Sequence, residues 1–177
     1  MQNRKPLDIK QLNLQPFTTM GPQGVLLVSG SDTQNANPMT ISWGTFGIMW
    51  NKPVVMVMVR HTRHTWEYIS KMPDFTLNWL DKSMSKALAL CGRVSGRDMD
   101  KFTASGLHTE SAAVVGSPII AESILNLECR IIYHDMVKPD QFKDISLSNH
   151  YAANDYHGLF YGEVVAAAGI EKFILSQ

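Results

Sequence analysis

The stretch NPMTISWGTFGIMW, Asn37 to Trp50, decides the fold, because it sets small polar residues where a buried strand would carry Val or Ile. Thr40, Ile41, Ser42, Trp43, Thr45 and Phe46 have the β-branched and aromatic bias of a strand running on from Met39. Asn37-Pro38 reads as the turn that introduces it. On its N-terminal side the apolar run from Gly24 to Gly30 reads as a first strand, joined through the polar loop Ser31 to Asn37 as a wide hairpin. On its C-terminal side Asn51-Lys52-Pro53 turns into VVMVMV, Val54 to Val59, a strand buried on both faces that stops abruptly at Arg60.

Further along, Thr65 to Lys71 predicts a short helix closed by Pro73, and Asp74 to Leu80 the alternation of a half-buried strand. Ser83 to Cys91 predicts a second helix with Gly92 as its left-handed stop. A third helix is expected from Ser95, where Ser-x-x-Asp to Asp98 forms a capping box, to Gly106. Asn126 to Met136 and Leu159 to Ala168 read as late strands. Residues 1 to 22 read as an extended lead-in that packs Leu12, Leu14 and Phe17 onto the rest. Without βαβ alternation or repeats, about six strands and three short helices make a mainly β (α+β) chain, an antiparallel sheet or small barrel decorated by helices.

A chain of 177 residues is expected to form one domain, residues 1–177, able to bury about two thirds of its unfolded surface without staples. Sixteen basic and sixteen acidic residues cancel, which argues against a nucleic-acid or anionic-membrane partner. Cys91 and Cys129 stand far apart and fit no metal-ligand spacing, as expected of buried thiols in a reducing compartment. The N-terminus lacks the apolar core of a signal peptide, and no run is long enough to span a membrane. These features predict a soluble, cytoplasmic protein.

Because the global charge is zero, any anion site must be local, and two segments offer one. Ser95-Gly96-Arg97-Asp98-Met99-Asp100-Lys101 sets Arg97 and Lys101 on one face of a helix whose N-terminus would favour phosphate. The same residues also read as a surface helix whose Arg and Lys pair with Asp98 and Asp100. Arg60-His61-Thr62-Arg63-His64-Thr65 concentrates cations and hydroxyls at the end of a buried strand, as a phosphate site or as a solvated basic turn. His61 and His64 have no third ligand at a suggestive spacing, so no metal is expected.

Taken together, Asn-x-Met-Thr-x-x-Trp-Gly at Asn37 to Gly44, Arg-x-x-Arg-x-Thr at Arg60 to Thr65, Cys-Gly-x-x-Ser-Gly-Arg-Asp-x-Asp-Lys-Phe at Cys91 to Phe102, and Asp-Tyr-His at Asp155 to His157 carry a resemblance. They resemble the flavoredoxin branch of the flavin reductase-like, FMN-binding split-barrel family, from about Gly24 to Glu163. The resemblance implies a six-stranded Greek-key split barrel, a homodimer, and FMN held non-covalently near the subunit interface. It implies that Asn37, Met39, Thr40, Ile41 and Ser42 lie along the flavin ring and ribityl chain. Arg60, Arg63 and Thr65, then Ser95, Arg97 and Lys101, match its phosphate motifs, and Cys91 a position near the flavin.

Asp155, Tyr156 and His157 follow a polar run, SLSNHYAAN, that looks like a loop over a pocket. His157 and Tyr156 are the catalytic candidates, since the protein must supply a donor and a dry surface beside a redox ring; His157 reads equally as a structural histidine. Glu163 reads as a strand residue paired with an arginine, and Trp43, Trp50, Trp66 and Trp79 as core or interface. The implied activity is that of an oxidoreductase passing electrons from NAD(P)H to free flavin, a metal complex or a protein. An electron carrier that does not react with NAD(P)H, and a flavin-binding module without turnover, are the alternatives.

Overall fold

Eight strands form one antiparallel sheet in a computed structural model that describes residues 3–21 and 24–174. In chain order the elements are β1 (Lys5–Pro6), β2 (Val25–Gly30), β3 (Ala36–Ile41), β4 (Gly44–Met49), β5 (Lys52–Arg60), α1 (His64–Ile69), β6 (Asp74–Trp79), α2 (Ser85–Arg93), α3 (Lys101–Ser105), β7 (Thr109–Glu110), β8 (Ile119–Ile120), β9 (Leu125–Met136) and β10 (His157–Gly169). The sheet runs β3-β2-β6-β9-β10-β5-β4, with β1 added beside β10 and β7-β8 forming a separate small pair.

The two outer strands, β3 and β4, are consecutive in the chain, with only Ser42 and Trp43 between them. A sheet whose first and last strands are joined by so short a corner must curl until its edges meet, yet no ladder joins them. The result is a barrel left open along one seam. Register shifts in the β9–β10 ladder at Tyr161/Gly162 and Val164/Ala166 help the long strands bend. At Gly162 a Cβ would stand 2.7 Å from Cζ of Phe75, so this bend requires glycine.

Val25, Leu27, Val55, Val57, Phe75, Leu77, Leu127 and Phe160 fill the barrel, while a second cluster, including Leu26, Val28, Leu88 and Ile120, seats α2 on its outside. Six corrections to the sequence reading follow. The strand opening at Met39 begins at Ala36, so Asn37-Pro38 is no turn; Pro38 is tolerated because β3 is an edge strand. The strand breaks at Ser42-Trp43 and resumes as β4. All six residues of β6 are buried, since the segment 116–120 covers its outer face and bonds to Asp74, Thr76 and Asn78. Gly92 lies inside α2, and the left-handed stop is Gly106 after α3. Phe17 is 98% exposed, although Leu12 and Leu14 do pack on the core. Glu163 pairs with Lys52 at 2.6 Å rather than with an arginine.

Strand count also exceeds the expected six, because β1, the short pair β7-β8 and the division at Ser42-Trp43 were not legible as separate strands. Two buried carboxylates pin the 111–118 segment: Glu128 accepts from the N–H groups of Ala113, Val114 and Val115, and Asp74 from those of Gly116 and Ser117. Removing the charge at Glu128 leaves three donors facing a weaker acceptor. Glu128→Gln is expected to lower the unfolding free energy by about 1–3 kcal/mol, read from urea denaturation, with an unchanged slope.

Candidate functional site

The seam between β3 and the rest of the barrel opens into a cleft that adjoins a second hollow. Met39, Arg63 and Gly92 line both, so the two are one elongated site. One end is walled by Thr40, Ile41, Ser42, Trp43, Met58, Arg60 and His157, the other by Thr65, Cys91, Ser95, Arg97 and Lys101. Its floor is the free edge of β3, whose outward backbone groups have no partner strand and are available to a planar ligand with donors and acceptors on its rim.

The polar end is built from buried groups. Asn37, buried in β3, donates through Nδ2 to Thr65 Oγ1 at 2.7 Å and so ties the edge strand to α1. Gly96 packs against this pair: a Cβ there would lie 2.1 Å from Asn37 Oδ1. Lys101, 4% exposed, donates to the carbonyl oxygens of Pro38 and Cys91, both at 2.9 Å. An ammonium has three donors, so one remains for a ligand. Burial pushes the Lys101 pKa below its usual range, Cys91 offsets this, and Arg63 adds to it; a bound anion would push it up again. Burial raises the Cys91 thiol, so it is an inert neighbour rather than a thiolate.

The four cations named from sequence are not equivalent. Arg63 makes no ion pair among the described residues and lines both halves of the cleft. Arg97 lines the cleft but is engaged, its Nε donating to Glu67 Oε1 at 2.8 Å and its Nη1 to Thr62 O at 3.2 Å. Those bonds, with His64 nearby, hold the Glu67 carboxyl below the usual carboxylate range. Arg60 is ion-paired with Asp155 and donates to the carbonyl of His150 at 2.8 Å, away from the polar end. The helix expected from Ser95 is absent; Ser95 Oγ accepts from Arg97 N at 3.2 Å in a turn, and α3 begins at Lys101 under an Asp100 cap. Thus no helix N-terminus reaches the site through Ser95.

At the other end His157, 8% exposed, pairs through Nδ1 with the Tyr151 hydroxyl at 3.0 Å. Burial, and then the positive charges of Arg60 and Arg63 against the pull of Asp155, lower its pKa to about 4, so the ring is neutral at pH 7. Burial raises the Tyr151 phenol, which stays protonated; with the phenol assigned as donor, Nε2 carries the imidazole proton. Trp43 stands 5.2 Å from His157 between ring centroids and faces the cleft. Tyr156 does not line it: its ring stacks behind Tyr151 at 4.8 Å. Sequence reasoning missed Tyr151 and Met58 and took Trp43 as core or interface, although Trp43 belongs to the quoted Asn-x-Met-Thr-x-x-Trp-Gly motif.

Such a cleft, with a hydrogen-bonding strand edge and indole at one end and two cations at the other, defines a site for a planar ring carrying an anionic tail. The family of flavin reductase-like domains matches residues 20–173, and the chain belongs to it. It is 28% identical over 149 residues to the uncharacterized protein YddH of Escherichia coli, covering 84% of this chain and 70% of that one. The flavoredoxin of Methanosarcina acetivorans superposes with a TM-score of 0.65 at 25% identity, over 96% of this chain and 79% of its own. An FMN-binding domain of a flavin reductases-like enzyme from Shewanella baltica gives 0.67 at 19% identity, over 94% and 77%. With these neighbours the open-seamed sheet is a split barrel.

His157 makes stability depend on pH with a fixed sign. Its folded pKa, about 4, lies below the ordinary 6.5, so the unfolded chain binds the proton first. The contribution is complete above about pH 6.5 and is lost as pH falls toward 4. Urea midpoints measured from pH 7 to 5 should fall, and His157→Gln should flatten that fall. In the polar half, Gly96→Ala is expected to displace Asn37 and lower thermal stability by several degrees, read by circular dichroism.

Proposed function

We propose that the chain binds FMN non-covalently in this cleft and acts as a flavin oxidoreductase, taking hydride from NADH or NADPH and passing electrons to an acceptor. The observation that carries this reading is the pairing, in one cleft, of a free strand edge beside Trp43 and a neutral His157 with Arg63 and Lys101 at the far end. A flavin mononucleotide has the matching parts: a ring with donors and acceptors on its rim and a phosphate on a flexible chain.

When bound, the flavin supplies the hydride chemistry. The chain's own residues then have separate tasks. Arg63 and the spare donor of Lys101 neutralise the phosphate, while Thr65 and Ser95 stand beside them with hydroxyls. Residues Met39 to Ser42 offer backbone N–H and C=O groups to the ring edge, and Trp43 covers it from water. His157 holds a proton at Nε2 that it can share with a reacting group, and Tyr151 fixes the imidazole's tautomer.

Ile48 and Trp50 on the β4–β5 hairpin, with Tyr133 on β9, leave an aromatic and aliphatic surface exposed, which supports association as a homodimer. No helix among the described residues is long and apolar enough to cross a membrane. The two free thiols support a cytoplasmic location.

An absorbance spectrum of freshly purified protein, followed by NADPH and then NADH under argon, tests the reading. Flavin bands that bleach support the reductase; bands that persist would make the protein an electron carrier, and failure to take up FMN would remove the proposal. Arg63→Ala and Lys101→Ala are each expected to weaken FMN by about 1–3 kcal/mol in a fluorescence titration. Arg97→Ala should do so less, because its guanidinium is already held by Glu67.

A further inference from the structure

Across Trp43 and Met58 from the cleft lies a further hollow, roofed by Phe142, Leu147, His150 and Tyr151. Trp43 and Met58 line both spaces, so the hollow adjoins the ring end of the cleft. Arg60 holds its roof in place: besides the Asp155 carboxylate it binds the carbonyls of Asp155 at 3.3 Å and His150 at 2.8 Å, and it lies 5.1 Å over the Tyr151 ring. Tyr151 is in turn stacked between Phe142 and Tyr156. The hollow is therefore a built feature with a fixed roof.

Its chemistry is the opposite of the polar half. Among the described residues no carboxylate, ammonium or guanidinium lines it, and the polar side chains that do are the Trp43 indole, His150 and Tyr151. A pyrophosphate or carboxylate placed there would meet no charged lining residue, the Arg60 guanidinium that holds the roof being already paired with Asp155, whereas a flat apolar ring would meet indole, phenyl and thioether surfaces. We propose that this hollow is a substrate subsite, taking an uncharged aromatic compound that accepts electrons at the ring end of the cleft. The inference rests on the FMN reading for its redox role. In turnover such a substrate gains a hydride and a proton, two electrons in all, and the reduced cofactor is oxidised by the same two.

Equilibrium dialysis of the purified protein against 2-naphthol and against 2-naphthalenesulfonate tests this, with and without added FMN. Naphthol is expected to bind at one site per chain, and the sulfonate about tenfold or more weakly. Leu147, 41% exposed, tolerates a polar substitution, so Leu147→Asp should weaken naphthol binding by about tenfold while FMN uptake stays unchanged. Equal or tighter binding of the sulfonate, indifference to Leu147→Asp, or no naphthol binding would overturn the proposal. A protein that binds naphthol as expected but takes up no FMN leaves the subsite standing and removes the cofactor reading; uptake of FMN without naphthol binding does the reverse.

Discussion

The free edge of β3 is the constraint on which the site depends. A strand with partners on one side only carries outward N–H and C=O groups that must find water, side chains or a ligand. Here the chain leaves the edge open by turning at Ser42-Trp43 and starting β4 at the far side of the sheet. Part of the edge is satisfied internally. Pro38 brings no N–H, and its carbonyl accepts from Lys101; Thr40 Oγ1 donates to the Leu88 carbonyl and docks α2 beside the strand. The remainder faces the cleft, with Arg63 and Lys101 toward one end and aromatic rings, beside the ion-paired Arg60, at the other.

Electrostatics then divides the labour among residues that look alike in sequence. Arg60 and Arg97 each have a carboxylate partner and at least one carbonyl, so each acts first as a clamp: Arg60 on the roof at His150 to Asp155, Arg97 between the 95–97 turn and α1. Arg63 and Lys101 have no carboxylate among the described residues. A buried ammonium held only by carbonyl oxygens is a poor resting arrangement, and a dianion nearby improves it. The same logic keeps His157 neutral, because burial and two guanidinium groups outweigh Asp155.

Much of this was legible in residue patterns. VLLVSG and VVMVMV gave strands β2 and β5, and the polar insert in NPMTISWG marked the cleft edge. What escaped the pattern depended on partners distant in sequence. Asp74 to Trp79 alternates weakly, and only its neighbours β2 and β9 with the covering segment 111–118 decide that both faces are buried. Ser95-x-x-Asp98 has the letters of a capping box, yet Asp100 caps the helix that forms. Charge pairing is likewise invisible along the chain: Arg97 meets Glu67 and Arg60 meets Asp155, 30 and 95 residues away. Tyr151 sits inside the polar run SLSNHYAAN, and nothing local says that it turns inward to His157.

The measurement that most directly tests the central claim is the ratio of affinities for FMN and riboflavin in the same protein. The two ligands share the ring and the ribityl chain and differ in the phosphate alone. If Arg63 and Lys101 form the anion end of the cleft, FMN binds about 100-fold or more tightly than riboflavin, as two charge-assisted contacts require. Equal affinities would contradict the account and move the phosphate elsewhere.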